Sequence, residues 1–382
     1  MSAFGGKTDI ASNITESENA GDLLSISPTA NPRRQYVIFF LLPDVVLGAG
    51  EAMRRREFIA FVGSAATATW PFTARAEQSP RFVVGFLHSG TADTFASEAN
   101  SFRAGLKETG PIENQNVGIE YRWANNKVDE LPTLAADLVR RRVAVILAGG
   151  PPAAVAARAA TSTIPIVAAF GSDPVQLRLA ESLNRPGGNV TGATAVTTEL
   201  VSKRLGLICE VIPQETTVAY LNPGPHQSIP ATAQMTSDFL AATRALRRKE
   251  VILEADDERD FETAFQSLIK QGAGALVIAS SVFFDTYCRT LASLTLRHSL
   301  PAIYQRRDFV HAGGMMSYSP NWDDVFRAAG RYVGRILKGA NPAELPFQES
   351  NSFELAINLK TAKALGLTVP PGILSIADDV IE

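Results

Sequence analysis

Polar residues follow several short apolar runs of this 382-residue chain, and their side chains could hold a small molecule by hydrogen bonds. In an open parallel sheet, ligands lie beyond the carboxyl ends of the strands, so the loop after each predicted strand is a candidate for the site. In the first half of the chain these loops contain Ser89, Gly150, Ala153 and Asp173. We expect the backbone N–H groups of Gly150 and Ala153, at a helix start, to hold a carboxylate. Asp173 either faces a cationic ligand group or only caps a helix.

The second half of the chain contains a matching set of loops. Asn222, Ser280 and Ser281 follow predicted strands, and Tyr318 lies in a later segment. Taken singly, each of these residues is also typical of a turn or a helix cap. Taken together, they favour a cleft for a small molecule, because ligand sites combine apolar walls with a few polar groups.

Sequence motifs for covalent catalysis, metal binding or phosphate binding do not occur in the chain. The four histidines are dispersed, and none has a second ligand at metal spacing. Gly272-Ala273-Gly274 precedes its predicted strand, so it indicates a helix C-cap rather than a dinucleotide loop. Cys209 and Cys288 lie in apolar helical stretches and are expected to be buried free thiols. We therefore predict a protein that is not an enzyme and has no metal or cofactor.

The elements that must position these loops follow an α/β pattern. From residue 82 onward, short β-branched runs alternate with longer amphipathic stretches, as in a parallel sheet covered by helices on both faces. The pattern breaks at residues 186–189 and then restarts, which predicts two doubly wound units in series. The net charge of −3 gives no basic surface for nucleic acid.

A third segment of the chain decides how the two units are joined. It contains a predicted strand at 315–318, a long helix at 322–338 and a strand at 353–358, too few elements for a domain of their own. We therefore expect this segment to complete the first two units by crossing between them. The predicted N-terminal lobe comprises residues 80–195 plus 315–342, and the C-terminal lobe comprises 196–314 plus 343–382. Several crossings of this kind make a hinge with a cleft between the lobes.

Residues 53–76 have the composition of a bacterial export signal. Met53 is followed by three arginines, an apolar stretch at 58–72 and the small-residue pattern Ala74-Arg75-Ala76. The apolar stretch is too short to span a membrane, so we expect cleavage near Ala76 and a periplasmic mature protein. The arginines suit either the twin-arginine or the Sec export route. Residues 1–52 are interpreted as a mis-assigned or disordered extension before a start at Met53, which N-terminal sequencing of the precursor would test.

Several stretches, in order along the chain, resemble the ABC transporter substrate-binding protein family of the type I periplasmic fold. They are Asp173-Pro174-Val175, residues 184–192, residues 301–304, residues 313–318 and residues 358–362. Some members of that family bind tryptophan or other aromatic amino acids. The resemblance implies that Asp173 and Asn222 face the ligand. One position departs from the amino-acid-binding branch, because Ser281-Val282 stands where an Asp-Asn pair is usual.

The resemblance and the loops together predict the receptor of an ABC importer. Such a receptor is expected to be a monomer that captures a small-molecule ligand, closes around it and delivers it to an ABC permease in the membrane. Two alternatives remain open at this point: a sensor subunit that presents its ligand to a membrane receptor, and an exported enzyme with Asp173 or Asp308 as general base. Ser281 and Val282 offer no counter-charge for an ammonium group. We therefore expect a compact, partly apolar ligand with an acid or amide group, and weaker binding of zwitterionic amino acids.

Overall fold

Two sheets organise residues 82–195, 197 and 200–382, which are the residues that this computed structural model describes. In chain order, the strands are β1 (Phe82–His88), β2 (Val117–Trp123), β3 (Val145–Gly149), β4 (Ile166–Phe170), β5 (Val190–Thr194), β6 (Thr217–Pro223), β7 (Glu250–Ala255), β8 (Ala273–Ile278), β9 (Ala302–Tyr304), β10 (Met316–Pro320), β11 (Gln348–Glu349), β12 (Phe353–Asn358) and β13 (Asp379–Ile381). The predicted extension at 1–52 and the predicted export signal at 53–76 lie outside the described residues.

Helices alternate with these strands. They are α1 (Ala96–Glu108), α2 (Leu131–Arg140), α3 (Pro151–Ala160), α4 (Leu200–Cys209), α5 (Pro230–Ala245), α6 (Asp260–Lys270), α7 (Val282–Thr286), α8 (Cys288–Arg297), α9 (Arg307–His311), α10 (Trp322–Leu337), α11 (Leu359–Ala364) and α12 (Pro371–Leu374). Short 3-10 turns occur at Val128–Glu130 and Pro342–Glu344. None of the helices that the structure describes is both long and apolar enough to cross a membrane.

The first sheet has the order β11-β5-β4-β3-β1-β2, and all its pairs are parallel. The second has the order β13-β12-β10-β9-β8-β6-β7 and is parallel except for the β10–β12 pair. Strands β3, β4 and β5 are buried along their whole length. Full burial is what helices on both faces of a parallel sheet produce, and it explains their nearly continuous apolar sequences. The predicted α/β class with two doubly wound lobes is confirmed.

The lobe boundaries differ from the predicted ones at two places. β10 pairs with β9 and β12, so residues 316–320 belong to the second sheet and not to the N-terminal lobe. β11 pairs with β5, so the chain stays in the N-terminal lobe beyond residue 343. The reason is packing: Met315 and Met316 belong to the second lobe's core, whereas Leu345 belongs to the first lobe's. The crossings therefore fall after β5, after β10 and after β11.

Two of the crossing segments are joined to each other. The Asn321 N–H donates to the Ser352 carbonyl over 2.9 Å, and the Ser350 N–H donates to the Thr194 carbonyl over 2.8 Å. The Asn321 side chain also caps α10 by accepting from the Asp324 N–H. The hinge is thus a set of adjacent, hydrogen-bonded strands rather than one free linker.

Helix α10 returns from the second lobe and packs closely on α1 in the first. A Cβ added to Gly105 would lie 1.9 Å from the Arg327 carbonyl oxygen, and one added to Gly330 would lie 2.2 Å from the Phe102 carbonyl oxygen. Both glycines therefore permit a backbone-to-backbone contact that no larger residue allows.

We predict that Gly105→Ala and Gly330→Ala each lower the free energy of unfolding by about 1–3 kcal/mol or more, because the added methyl groups overpack the α1–α10 contact. The matched control is Gly206→Ala in α4, where a Cβ meets nothing within 4 Å. That control should gain up to about 1 kcal/mol from helix propensity. Urea unfolding measures all three changes, and equal effects at the three glycines would contradict the packing argument.

Candidate functional site

The candidate site is a cavity between the two lobes, with about 780 Å³ of empty space when the solvent at its mouth is included. It lies beyond the carboxyl ends of β1, β4, β6, β8 and β9, where the loops of both sheets face each other. Its size falls in the range of small-molecule sites. The N-terminal lobe lines it with Ser89, Asn126, Val128, Pro151, Pro152, Gly171, Ser172, Thr197 and Trp322. The C-terminal lobe lines it with Pro223, Gln227, Ile229, Ala231, Thr232, Met235, residues 280–283, Asp285, Gln305 and Arg306.

Three of the predicted ligand residues line this cavity, namely Ser89, Ser280 and Ser281. The Ser89 hydroxyl is buried without a hydrogen-bond partner among the described residues. The Ser280 Oγ accepts from Arg204 Nη1 at 2.9 Å. The Ser281 Oγ accepts from the Phe283 N–H at 3.3 Å and caps α7. The rule that ligands lie at strand ends thus located hydroxyls on both walls.

The start of α3 does not present the predicted amide groups. The Gly150 N–H donates to the Ala169 carbonyl at 3.0 Å, and Ala153 is fully buried outside the cavity lining. Pro151 and Pro152, which lack N–H groups, form this part of the wall instead. Gly150 has φ +90°, and a Cβ there would lie 2.8 Å from the Ser89 Oγ, so this glycine makes room for the serine.

The remaining predicted residues lie behind the cavity wall. Asp173 Oδ1 accepts from the Val175 N–H at 2.7 Å and so orders the turn after β4, where no helix follows in the described chain. Asn222 is buried, and its Nδ2 donates to the Thr236 Oγ1 at 2.7 Å. The Tyr318 ring stacks on Phe353 with 5.9 Å between centroids. None of these three predicted residues is among those that line the cavity.

Sequence reasoning did not select the charged residues of the second wall. Gln305 and Arg306 follow β9, and Asp285 lies one helical turn after Ser281. The strand-end rule does point to the loop of Gln305 and Arg306, because it directly follows a strand, but neither residue was selected as a ligand contact. Asp285 gave no such signal, since it lies inside α7. Ser281 and Val282 are indeed uncharged, but this wall as a whole carries charge.

Gln305 and Asp285 form a buried pair at the cavity. Gln305 Nε2 donates to Asp285 Oδ1 at 2.8 Å, and Gln305 Oε1 has no partner among the described residues. Burial raises the pKa of Asp285 to about 7, although Arg306 and Gln305 stabilise its charged form. A carboxyl group with this pKa exists in both protonation states near neutral pH.

A buried ion pair between Glu98 and Arg306 joins the two lobes beside the cavity. Glu98 belongs to α1 and is 1% exposed, and the Arg306 guanidinium also contacts Asp308 Oδ2 at 2.8 Å and the Phe95 ring. Burial disfavours the charged guanidinium, but the attraction of Glu98, Asp285 and Asp308 outweighs it and raises the pKa of Arg306. Arg306 is therefore a permanent cation whose counter-charges come from both lobes.

Hydrogen bonds between uncharged groups also join the lobes at the cavity. The Thr286 Oγ1 donates to the Asn126 Oδ1 at 3.1 Å, and Gln227 Nε2 donates to the Asn126 carbonyl at 3.3 Å. Asn126 has φ +64°, which places it in the left-handed region. The lobes therefore touch each other through a buried ion pair and through neutral hydrogen bonds.

His88, which precedes Ser89 of the lining, has a structural role. It is buried against Phe95, with 4.1 Å between ring centroids, and its Nδ1 accepts from the Gly90 N–H at 2.9 Å. Burial and the positive charge of Arg306 lower the pKa of His88 to about 3, so the ring is neutral. Among the described residues, no three His, Cys, Asp or Glu side chains are grouped so as to hold a metal ion. Cys209 and Cys288 are free and half-buried.

Fold and cavity together define a two-lobed small-molecule-binding protein of the type I periplasmic class. A sequence profile described as ABC transporter substrate binding protein matches residues 90–381, which is most of the chain. The chain therefore belongs to the ABC transporter substrate-binding protein family, as its sequence motifs predicted.

Known relatives agree with this assignment. A "Tyrosine-binding protein" of Clostridioides difficile (strain R20291) is 22% identical over 267 residues, which cover 70% of this chain and 75% of that protein. An ABC domain from Streptococcus pneumonia, solved in complex with L-Trp, has a TM-score of 0.72 and 22% identity, over 79% of this chain and 100% of that one. A conserved domain protein from Vibrio cholerae has a TM-score of 0.71 and 23% identity, over 78% of this chain and 99% of that one. At these identities the structures show a shared fold.

We predict that Glu98→Gln favours an open form of the protein. Glu98→Gln removes the acidic partner that the N-terminal lobe supplies and leaves Arg306 with Asp308 and Asp285 of its own lobe. The closed form therefore loses up to about 3–5 kcal/mol, the cost of breaking a buried ion pair, and opening the lobes lets water reach Arg306. Small-angle scattering should therefore give a larger radius of gyration for this variant than for the wild type. The matched control is Glu108→Gln on the same helix, because Glu108 pairs with Arg327 and Arg331 at the surface. An unchanged radius for Glu98→Gln would contradict the role of the pair.

We also predict that Asp285 makes stability depend on pH. The folded protein keeps the Asp285 proton up to about pH 7, whereas the unfolded chain releases it near the ordinary pKa of 3.8. The folded state therefore binds more protons across this window, and the free energy of unfolding falls as the pH rises through it. Asp285→Asn should remove that part of the decline. Urea unfolding at several pH values measures it, and parallel curves for variant and wild type would rule the prediction out.

Proposed function

We propose that this protein is the extracytoplasmic receptor of an ABC importer. It captures a small organic ligand in the interlobe cavity, closes around it and delivers it to a permease in the membrane. The observation that carries this proposal is the cavity itself, because each lobe supplies one wall and the lobes are joined by a three-segment hinge. A ligand that touches both walls stabilises the closed form, which is the form that a permease could distinguish from the empty receptor.

The apolar walls and the few polar groups of the cavity support a small organic ligand. Pro151, Pro152, Val282 and Phe283 provide apolar surface, and the hydroxyls of Ser89, Ser280 and Ser281 provide hydrogen bonds. We propose these three serines as ligand contacts. The names of two relatives, one a tyrosine-binding protein and one solved with L-Trp, support a ligand of similar size with an apolar part.

The other predicted site residues are proposed to support the wall. Gly150 leaves space for Ser89, and Ala153 packs in the core behind it. Asp173 orders the turn after β4, next to Ser172 of the lining. Asn222 precedes Pro223 of the lining, and Tyr318 accepts a hydrogen bond from Arg204 through its carbonyl oxygen. Export to the periplasm, cleavage near Ala76, a monomeric state and a permease partner complete the proposal.

A screen by thermal unfolding, followed by scattering, tests this function. Amino acids, organic acids and amides of matched size are screened for a rise in the melting temperature, because a ligand at about a hundredfold its dissociation constant stabilises by about 2.7 kcal/mol. A compound that binds should reduce the radius of gyration. A bound compound that leaves the radius unchanged would refute closure, and a compound that is turned over would identify an enzyme instead.

We predict that Asn126→Gly weakens binding of any such compound by up to about tenfold. The change removes the interlobe hydrogen bond with Thr286, a neutral bond of about 0.5–1.5 kcal/mol, while glycine tolerates the φ of +64°. The matched control is Asn125→Gly, since this neighbour also has a positive φ of +50° but no interlobe side-chain bond in the described chain. Calorimetry measures both affinities. Equal affinities for the two variants would show that the Asn126 bond does not help to hold the closed form.

A further inference from the structure

Arg204, on α4 of the second lobe, is a buried cation without a counter-ion. Its side chain is fully buried, and no carboxylate of the described residues lies within 4 Å of its guanidinium. Arg306, the other fully charged group near the cavity, contacts Glu98 and Asp308. Burial lowers the pKa of Arg204 to about 10 although the negative charge of Asp285 favours the charged form, so the group is still charged at neutral pH. Asp285 is only a partial counter-charge, because burial raises its own pKa to about 7. An unpaired buried charge is costly, so a compensating negative charge is to be expected nearby.

The hydrogen-bond partners of Arg204 are neutral and point to the cavity. Its Nε donates to the Tyr318 carbonyl at 2.8 Å, its Nη1 donates to the Ser280 Oγ at 2.9 Å, and its Nη2 has no partner among the described residues. Ser280 lines the cavity, so one serine separates the cation from the ligand space.

A second buried arginine of the same lobe shows what a compensated site looks like. Arg248 donates to the carbonyls of Pro213, Gln214 and Cys209. Cys209 ends α4, and the carbonyl end of a helix carries partial negative charge. The protein itself therefore compensates Arg248, whereas Arg204 has a single carbonyl.

Both walls of the cavity offer hydrogen-bond donors. Ser280 and Ser281 already accept hydrogen bonds, so their hydroxyl hydrogens are free to point into the cavity. Ser89 Oγ has no partner in the described chain, and neither has the indole N–H of Trp322, which can only donate. These four groups suit a ligand that accepts several hydrogen bonds.

The cavity lining offers few acceptors for a ligand ammonium group. Asp285 is the carboxyl group of the lining, but one of its oxygens is taken by Gln305, and its burial favours the uncharged form. The Asn126 Oδ1 already accepts from Thr286. Gln305 Oε1 is an acceptor without a partner among the described lining residues, and an amide oxygen is not a counter-charge.

We propose that the cavity takes a compact carboxylate that lacks an ammonium group, and that Arg204 sets this preference through Ser280. The carboxylate oxygens accept from the serine hydroxyls, and the guanidinium behind them supplies the counter-charge. The apolar part of the ligand lies against Val282, Phe283 and the two prolines of α3. This inference rests on the proposed function and names its ligand class.

Two matched sets of compounds test the ligand class by calorimetry on the purified protein. The aromatic set is 3-phenylpropanoate, 3-phenylpropanamide, L-phenylalanine and 2-phenylethylamine. The aliphatic set is 4-methylpentanoate, 4-methylpentanamide, L-leucine and 3-methylbutylamine. In at least one set, the carboxylate should bind about tenfold or more tightly than its amide and its amino acid, the range of a charge-assisted hydrogen bond. An amide, amine or amino acid that binds as tightly would overturn the inference but leave the proposed function standing. If no compound of either set binds, the result would count against both the inferred ligand class and the proposed function.

Variants of the protein test whether Arg204 causes the preference for a carboxylate. Arg204→Met should bring the ratio of acid to amide affinity close to one, because the counter-charge is lost for the acid alone. Arg248→Met is the matched control and should leave that ratio unchanged. A purely structural role of Arg204 would weaken acid and amide equally, and an unchanged ratio would overturn the proposal. If Arg204→Met does not fold, Ser280→Ala provides the same test, since it removes the hydroxyl between cation and ligand and should also lower the ratio.

Discussion

The chain passes three times between two sheets, and this constraint determines both the hinge and the cavity. The crossings follow β5, β10 and β11, and two of them are hydrogen-bonded side by side at Asn321 and Ser352. Adjacent crossings of this kind restrict the lobes to rotation about one axis while their cores stay intact. Because the loops beyond the carboxyl ends of both sheets face each other, closing the hinge brings those loops together. The binding cavity is therefore a product of the connectivity.

Charges beside the cavity divide into those that the protein compensates and those that it does not. Glu98 and Arg306 neutralise each other across the lobe boundary, which couples the pair to closure. Asp285 is kept partly neutral by burial, and Gln305 holds it in place. Arg204 keeps a full charge, and no carboxylate of the described residues forms an ion pair with it. A cavity with these properties attracts an anion more strongly than a zwitterion, because each buried charge of a ligand needs its own partner.

Membership of a substrate-binding family leaves the ligand open. The fold is shared with structures at 22–23% identity, and at that distance the side chains in the cleft can differ completely. Ser281 and Val282 carry no charge, and Asp285 supplies only part of a counter-charge, since one of its oxygens accepts from Gln305. The family thus explains the hinge and the cleft, while the identity of the ligand depends on a few residues near Ser280 and Ser281, namely Arg204, Asp285 and Gln305.

The sequence by itself determined the α/β lobes, because buried parallel strands such as β3 and β4 have apolar sequences that alternate with amphipathic helices. It also located Ser89, Ser280 and Ser281, since strand ends mark the ligand edge of a sheet. Only the tertiary structure decided that Asp173 caps a turn and that β10 belongs to the second sheet. Only it paired Glu98 with Arg306 and left Arg204 without a counter-ion. These features depend on which side chains meet across lobes and layers, and local sequence patterns carry no information about such long-range contacts.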